Sequence, residues 1–370
     1  MAEIDIGKGK QGRRAYGFED ITIVPSRRTR DPEDIDLTWE IDAYRFELPF
    51  MASAMDSVVS PATAIEIGNQ GGLGVLNLEG LWTRYEDADA VLGEIAELDD
   101  QAATQRMQEL YAKPVDPDLM MQRISEINAA GVVSAGAVSP QRAPDYVDTI
   151  LKAELGLLVV QQPVISAEHV SDGEDQPLNL KTFVRQLDVP VIVGDCASYS
   201  AALHLMRTGA AGILVGVGTG RASTVRRVLG IGGPQATALA DARAARMRHL
   251  DETGIYTQII ADGSMATAGD VAKAIVCGAD AVMLGAPLAA ADEAPGRGYH
   301  WGVQSVHPTV PQGGRIATPS RGPLSRVLHG PSHSEDGATN LAGGLRQSMA
   351  MCGYTDLKDF QKAEILVSAR

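Results

Sequence analysis

A chain of 370 residues is long enough for one large domain or two ordinary ones, and its formal charge of −15 argues against general nucleic-acid binding, which relies on basic surface. Hydrophobic residues make up 45% of it but aromatics only 5%, the profile of an aliphatic α/β core. Cys196, Cys277 and Cys352 are too widely spaced for a disulfide framework or a zinc site, so no metal is expected. With no signal peptide and no membrane-length apolar run, the expectation is a soluble, cytoplasmic protein with no membrane or nucleic-acid partner.

In chain order, two short basic pieces near the start, GKGKQGRR and SRRTR, read as solvated parts of an N-terminal arm spanning 1–45. Eight short apolar runs follow, at 48–54, 72–77, 131–138, 156–161, 190–195, 212–217, 256–262 and 280–285. Helical patterns separate most of them, such as TAGDVAKAIVCGA, where Thr267 and Asp270 have capping-box spacing. Near-continuous apolar strands between amphipathic helices indicate a parallel sheet covered on both faces. Eight such units predict a single-domain α/β fold, a (β/α)8 TIM barrel over 46–370, with an open doubly wound sheet as the alternative. The charged interval at about 80–130 reads as a helical insertion of two or three surface helices, broken near Pro114 and Pro117.

Three loops carry chemistry. The stretch from Gly216 to Gln235 follows the sixth apolar run, and glycines 216, 218 and 220 allow close backbone approach to a ligand. Its GVGTG is a weak dinucleotide fingerprint, because it does not open a helix after a first strand. The loops after the seventh and eighth runs place Gly263 and Ser264, then Gly285 and Ala286, where barrels commonly hold a phosphate on main-chain amides. Ordinary βα turns are the plain alternative, and an FMN phosphate would suit the same corner.

These segments resemble the IMP dehydrogenase/GMP reductase family over nearly the whole chain. The resemblance rests on FEDITIVPSR, ASAMDS, GGLGVL, the loop around Ser223, ADGSMATAGDVAKAIVCGADAVMLG and AAADEAPG. It implies an NAD-dependent oxidoreductase acting on IMP or a related purine monophosphate, a homotetramer, and no CBS domains, since the 80–130 interval is too short for a pair. It also implies that Asp262 accepts from the ribose hydroxyls and that Ser53 sits beside phosphate or ribose. Met55 would lie on the purine face, where core packing is the plain reading. Gly220 belongs to the loop that meets the nucleotide.

In the loop at 299–325, HWGVQ (His300, Trp301, Gly302) resembles a purine-contact segment, and Gln312 with Gly313 a purine anchor. The departures matter more. Ser223 stands where the family has its nucleophilic Cys, and Val225 where a threonine that relays protons is usual. Arg221 replaces a phosphate-contacting Ser, either gripping phosphate or pointing into solvent. Leu214 and the segment 160–166 also differ from the family pattern. The mobile flap bearing an Arg-Tyr pair has no room, and His300, His307 and Arg315 are its nearest replacements, each read as a surface or structural residue before a base. The implied activity is therefore weak or lost. A non-catalytic purine-nucleotide binder, a GMP reductase-like protein and an FMN barrel stand as alternatives.

Overall fold

The computed structural model describes residues 3–169, 178–302 and 314–368. Its centre is a closed barrel of eight parallel strands: β1 (Phe50–Ala52), β2 (Leu73–Asn77), β3 (Ala135–Val138), β4 (Leu157–Gln161), β5 (Val191–Cys196), β6 (Gly212–Val215), β7 (Gln258–Asp262) and β8 (Ala281–Leu284). Each falls on one of the eight apolar runs, β5 extending one residue past its own, and the ring closes where Met283 of β8 pairs with Met51 of β1. The open-sheet alternative is thereby excluded. Nearly every strand residue is buried, because the inner face packs on itself and the outer face is covered by helices.

The helix over Ala268–Cys277 opens with the expected capping box, Thr267 accepting from the Asp270 amide and Asp270 reaching back. It packs against both Gln235–Thr253 and Leu341–Met351 in the outer ring. The hairpin strands Trp39–Ile41 and Tyr44–Phe46 lie at the opposite, N-terminal end of the barrel. There the fully buried Ile41 comes close to Gly212, where β6 begins.

The interval between β2 and β3 holds three helices: Ala88–Glu97, Asp100–Ala112 and Pro117–Ala129. The third packs between Pro61–Asn69 and Ala143–Lys152, so it belongs to the barrel's own ring and only the first two are additions. Pro117 marks this division, sitting in the first turn of that third helix, where proline costs no hydrogen bond.

The barrel's seventh and eighth units are tied by a buried polar network. Asp280, just before β8, accepts from the Arg246 guanidinium, from the Tyr256 hydroxyl at 2.7 Å, from the Ile259 amide at 2.7 Å and from Gln361 at 3.1 Å. Arg246 is 2% exposed and stacks over the Tyr256 ring, so it has no route to water. Asp280→Asn leaves that guanidinium without a countercharge and is expected to cost about 3–5 kcal/mol. Denaturant unfolding reads this directly, and a loss under about 1 kcal/mol would contradict the network's importance.

Candidate functional site

At the C-terminal ends of the strands the loops enclose a cavity of about 740 Å³. This is the face on which barrel folds gather reactive groups. Of the residues singled out from sequence, Ser53, Met55, Gly220, Arg221, Ser223, Asp262, Gly263, Ser264, Gly285, Ala286, His300 and Gly302 all line it. Gln312, Gly313 and His307 lie outside the described residues. Trp301 is a correction: its side chain does not line the cavity. Its buried indole donates to the Tyr111 hydroxyl at 3.0 Å, and Tyr111 in turn donates to the fully buried Asp56 at 2.5 Å. An apolar ring with one N–H finds its best place in such a dry, polar-tipped slot.

The glycines of the β6 loop, 216, 218 and 220, all line the cavity. A Cβ on Gly216 would lie 1.9 Å from the Asp262 carbonyl oxygen, and one on Gly218 would meet Arg226 and Ile231 at 3.0 Å. Those two are therefore also required by the protein's own close packing. Gly220 alone of the three faces open space, the nearest atom to its virtual Cβ being 4.0 Å away. The loop is pinned by Thr219, whose hydroxyl donates to the Asp262 carbonyl at 2.9 Å, and by Gln235, which donates to the same carbonyl at 3.2 Å.

At the β7/β8 corner, the amides of Gly263, Ser264, Gly285 and Ala286 have no acceptor among the described residues. Gly263 and Ser264 are consecutive left-handed residues, with φ of 79° and 63°. That conformation is costly for a serine and is typically kept where a backbone must be aimed. Gly285 lacks room for a side chain because the Met55 sulfur sits 3.2 Å from its virtual Cβ. Met55 thus both packs on the corner and faces the cavity. Arg221 is exposed at the rim, and Arg321 lines the same cavity, ion-paired to Asp336.

A feature not foreseen from sequence lies beside Asp262. Asp195, at the end of β5, shares a hydrogen bond with the Asp262 carboxyl, and Gln161, at the end of β4, donates to Asp262 at 3.0 Å. Burial raises the Asp262 carboxyl to about 6, and burial together with its neighbour's charge raises Asp195 well above the usual carboxylate range. Two carboxyls this close share a proton instead of ionising together. The signal was present in sequence, since Asp195 and Gln161 end apolar runs just as Asp262 does. Only the barrel's curvature, however, brings these three strand ends together.

The Ser223 hydroxyl is exposed and has no hydrogen-bond partner among the described residues, while Val225 is buried. Leu214 is wholly buried against Gly194. Arg315 is structural: it donates to the carbonyls of Ile95, Ala96 and Leu98 and stacks 3.9 Å from the Tyr299 ring centroid. His300, in contrast, is both buried and cavity-lining, so of the surface or structural role expected of it only the structural one remains, through its contact with Thr318. Among the described residues no group of three or more His, Cys, Asp or Glu could hold a metal, and no helix is long and apolar enough to cross a membrane.

A closed barrel with its open loops gathered around unpaired amides and a carboxyl pair has the layout of a small-molecule-binding barrel protein. Comparison with known proteins places it more narrowly. The sequence model for the IMP dehydrogenase / GMP reductase domain matches residues 15–369, and the chain belongs to that family of oxidoreductases. It is 50% identical over 376 residues to an uncharacterized oxidoreductase of Mycolicibacterium smegmatis, covering 99% of this chain and 100% of that one. The inosine-5'-monophosphate dehydrogenase of Methanocaldococcus jannaschii is 26% identical over 474 residues, covering 95% of this chain and 92% of its own. An IMP dehydrogenase/GMP reductase-like protein from Corynebacterium glutamicum superposes with a TM-score of 0.92 at 48% identity, covering 99% of this chain and 98% of that structure.

The carboxyl pair makes stability depend on pH. Both folded-state values are raised, so the pair is tolerated at low pH and becomes a liability as pH rises through about 6. Asp195→Asn removes the shared-proton conflict while keeping the shape. The variant is expected to gain on the order of 1 kcal/mol or more over the parent at pH 8, with little gain at pH 4. Paired thermal melts at the two pH values measure this, and an equal shift at both would show that the carboxyls do not compete.

Proposed function

We propose that the cavity binds a purine nucleoside monophosphate, IMP or a close relative, and that any NAD-dependent turnover to XMP is weak. The observation that carries this is the joint presence of four unpaired amides at the β7/β8 corner and the Asp262 carboxyl at the end of β7. A dianionic phosphate fits the first group and a ribose cis-diol the second. Ser53, Gly220 and Arg221 would complete the phosphate and ribose contacts, and Met55 would lie against the base. His300 and Gly302 would stand at its edge, with Trp301 offering only its backbone and Gln312 and Gly313 anchoring the purine.

A second cavity of about 570 Å³ adjoins the first through Ala54, Gln161, Pro163 and Val225. Its size and its polar wall of Glu79, Arg84, Ser139 and Gln141 suit the body of a nicotinamide dinucleotide. When bound, that cofactor would supply a hydride acceptor. The chain's own part is to hold the purine by sugar and phosphate and to keep the C2 face open toward Ser223. The exposed apolar residues Val228, Leu229 and Ile231 near this second cavity fit contact with neighbouring copies in a homotetramer. A cytoplasmic setting follows from the same reading.

A serine hydroxyl is a poor nucleophile without a base, and none touches Ser223 among the described residues. This favours the second reading, a non-catalytic or regulatory nucleotide binder; a GMP reductase-like activity would meet the same obstacle. Calorimetry against IMP and GMP tests binding, and Asp262→Ala is expected to weaken it about a hundredfold. NADH absorbance with IMP and NAD tests turnover. The parent should be slow, and Ser223→Cys should raise the rate at least about tenfold. Ordinary enzyme rates in the parent would overturn the reading of Ser223, and a yellow purified protein would favour flavin instead.

A further inference from the structure

The two cavities are joined by more than the residues at their common rim. Tyr111, near the end of the helix Asp100–Ala112, is partly buried and lines the second cavity, as do Asn77 and Arg84. Its hydroxyl stands between two buried groups of the barrel, 3.0 Å from the Trp301 indole nitrogen and 2.5 Å from Asp56 Oδ2. The sense of each bond follows from the groups themselves. An indole N–H can only donate, so the Tyr111 oxygen accepts from Trp301. At pH 8 the Asp56 carboxyl, raised by burial to about 6, is ionised and can only accept, so it receives the hydroxyl hydrogen.

Both partners lead into the wall of the main cavity. Trp301 lies between His300 and Gly302, which line it, and its amide donates to the Ser57 hydroxyl at 3.3 Å. Asp56 directly follows Ser53, Ala54 and Met55, which line it as well. The Asn77 amide approaches the same Asp56 oxygen at 3.5 Å, so two wall residues of the second cavity converge on one carboxylate. The described lining of the main cavity does not include Tyr111 itself. Any influence of Tyr111 on a ligand there passes through these two segments.

We infer that Tyr111 is a positioning residue that couples the cavities: an occupant of the second covers its ring, fixes the 300–302 segment and the turn after β1, and so tightens purine nucleotide binding in the first. The inference rests on the nucleotide and dinucleotide readings given above. The ligand that arrives first bears the cost of ordering the shared wall, and the next one meets it already ordered. Linkage makes the effect mutual, each ligand strengthening the other by the same factor.

The plain alternative is that Tyr111 only anchors the insertion. Tyr85 separates the two. Its hydroxyl donates to the Leu110 carbonyl on the same helix at 3.1 Å, and it has no hydrogen bond to Asp56 or Trp301 among the described residues. Tyr85→Phe therefore loosens the insertion and spares the path, whereas Tyr111→Phe breaks the path.

IMP affinity is measured by calorimetry at pH 8 with and without saturating NADH. Being already reduced, NADH takes no hydride from IMP, and its fluorescence reports its own binding. In the parent, NADH is expected to strengthen IMP binding at least about fivefold, and IMP to strengthen NADH binding equally. In Tyr111→Phe the factor should fall below about twofold, while Tyr85→Phe keeps the parent's factor. Melting curves establish that each variant is folded. If Tyr111→Phe does not fold, Trp301→Phe breaks the path from its other end and should lose the factor likewise. An undiminished factor in the folded path variant would place the coupling across the common rim and overturn the inference. Its loss in Tyr85→Phe as well would show general loosening and also overturn it. IMP binding that NADH does not strengthen, or IMP binding with no NADH bound, would overturn it and leave the nucleotide reading intact. Failure of the parent to bind either IMP or GMP would overturn both.

Discussion

Between the loop after β6 and the end of β7 there is no room for a side chain. The Asp262 carbonyl receives hydrogen bonds from Thr219 and Gln235 and lies where a Cβ on Gly216 would have to be. This contact decides where the Asp262 carboxyl points, how the loop carrying Arg221 and Ser223 leaves the barrel, and how Gly263 and Ser264 turn. A backbone locked this tightly orients its groups before any ligand arrives, which limits the ordering cost of binding. The same loop leaves Gly220 open, so the close packing stops where a ligand would begin.

Around that contact the cavity divides into two electrostatic halves. One holds Arg221, Arg321 and the unpaired amides, and the other holds the carboxyls of Asp195 and Asp262. A chain of net charge −15 thus gathers hydrogen-bond donors on one part of the cavity wall and carboxyl acceptors on another. Long-range attraction contributes little to such a design, and local geometry does the selecting. Among the described residues the loop supplies no hydrogen-bond partner for the Ser223 hydroxyl.

The added helices Ala88–Glu97 and Asp100–Ala112 play a supporting part. Tyr111 reaches from the second of them to Asp56 and Trp301, and Arg315 reaches back to the carbonyls at the end of the first. The two ends of the segment lining the cavity at 299–302 are thereby tied to the insertion, and Tyr111 itself lines the adjoining second cavity.

Strand and helix periodicity, a capping box at Thr267 and glycines at the ends of apolar runs were enough to read eight βα units and the loops that enclose the main cavity. Local rules suffice there because burial on both faces demands apolar runs whatever the rest of the chain does. Tertiary structure alone decided the rest: Asp195 and Gln161 meet Asp262 from strands up to 101 residues away in sequence, Trp301 turns from the cavity toward Tyr111, and Gly216 packs on the Asp262 carbonyl. The contact of His300 with Thr318 likewise depends on the pairing of His300 with Ile316 on a neighbouring strand. Such properties come from distances between remote segments, and closure of the barrel is what sets those distances.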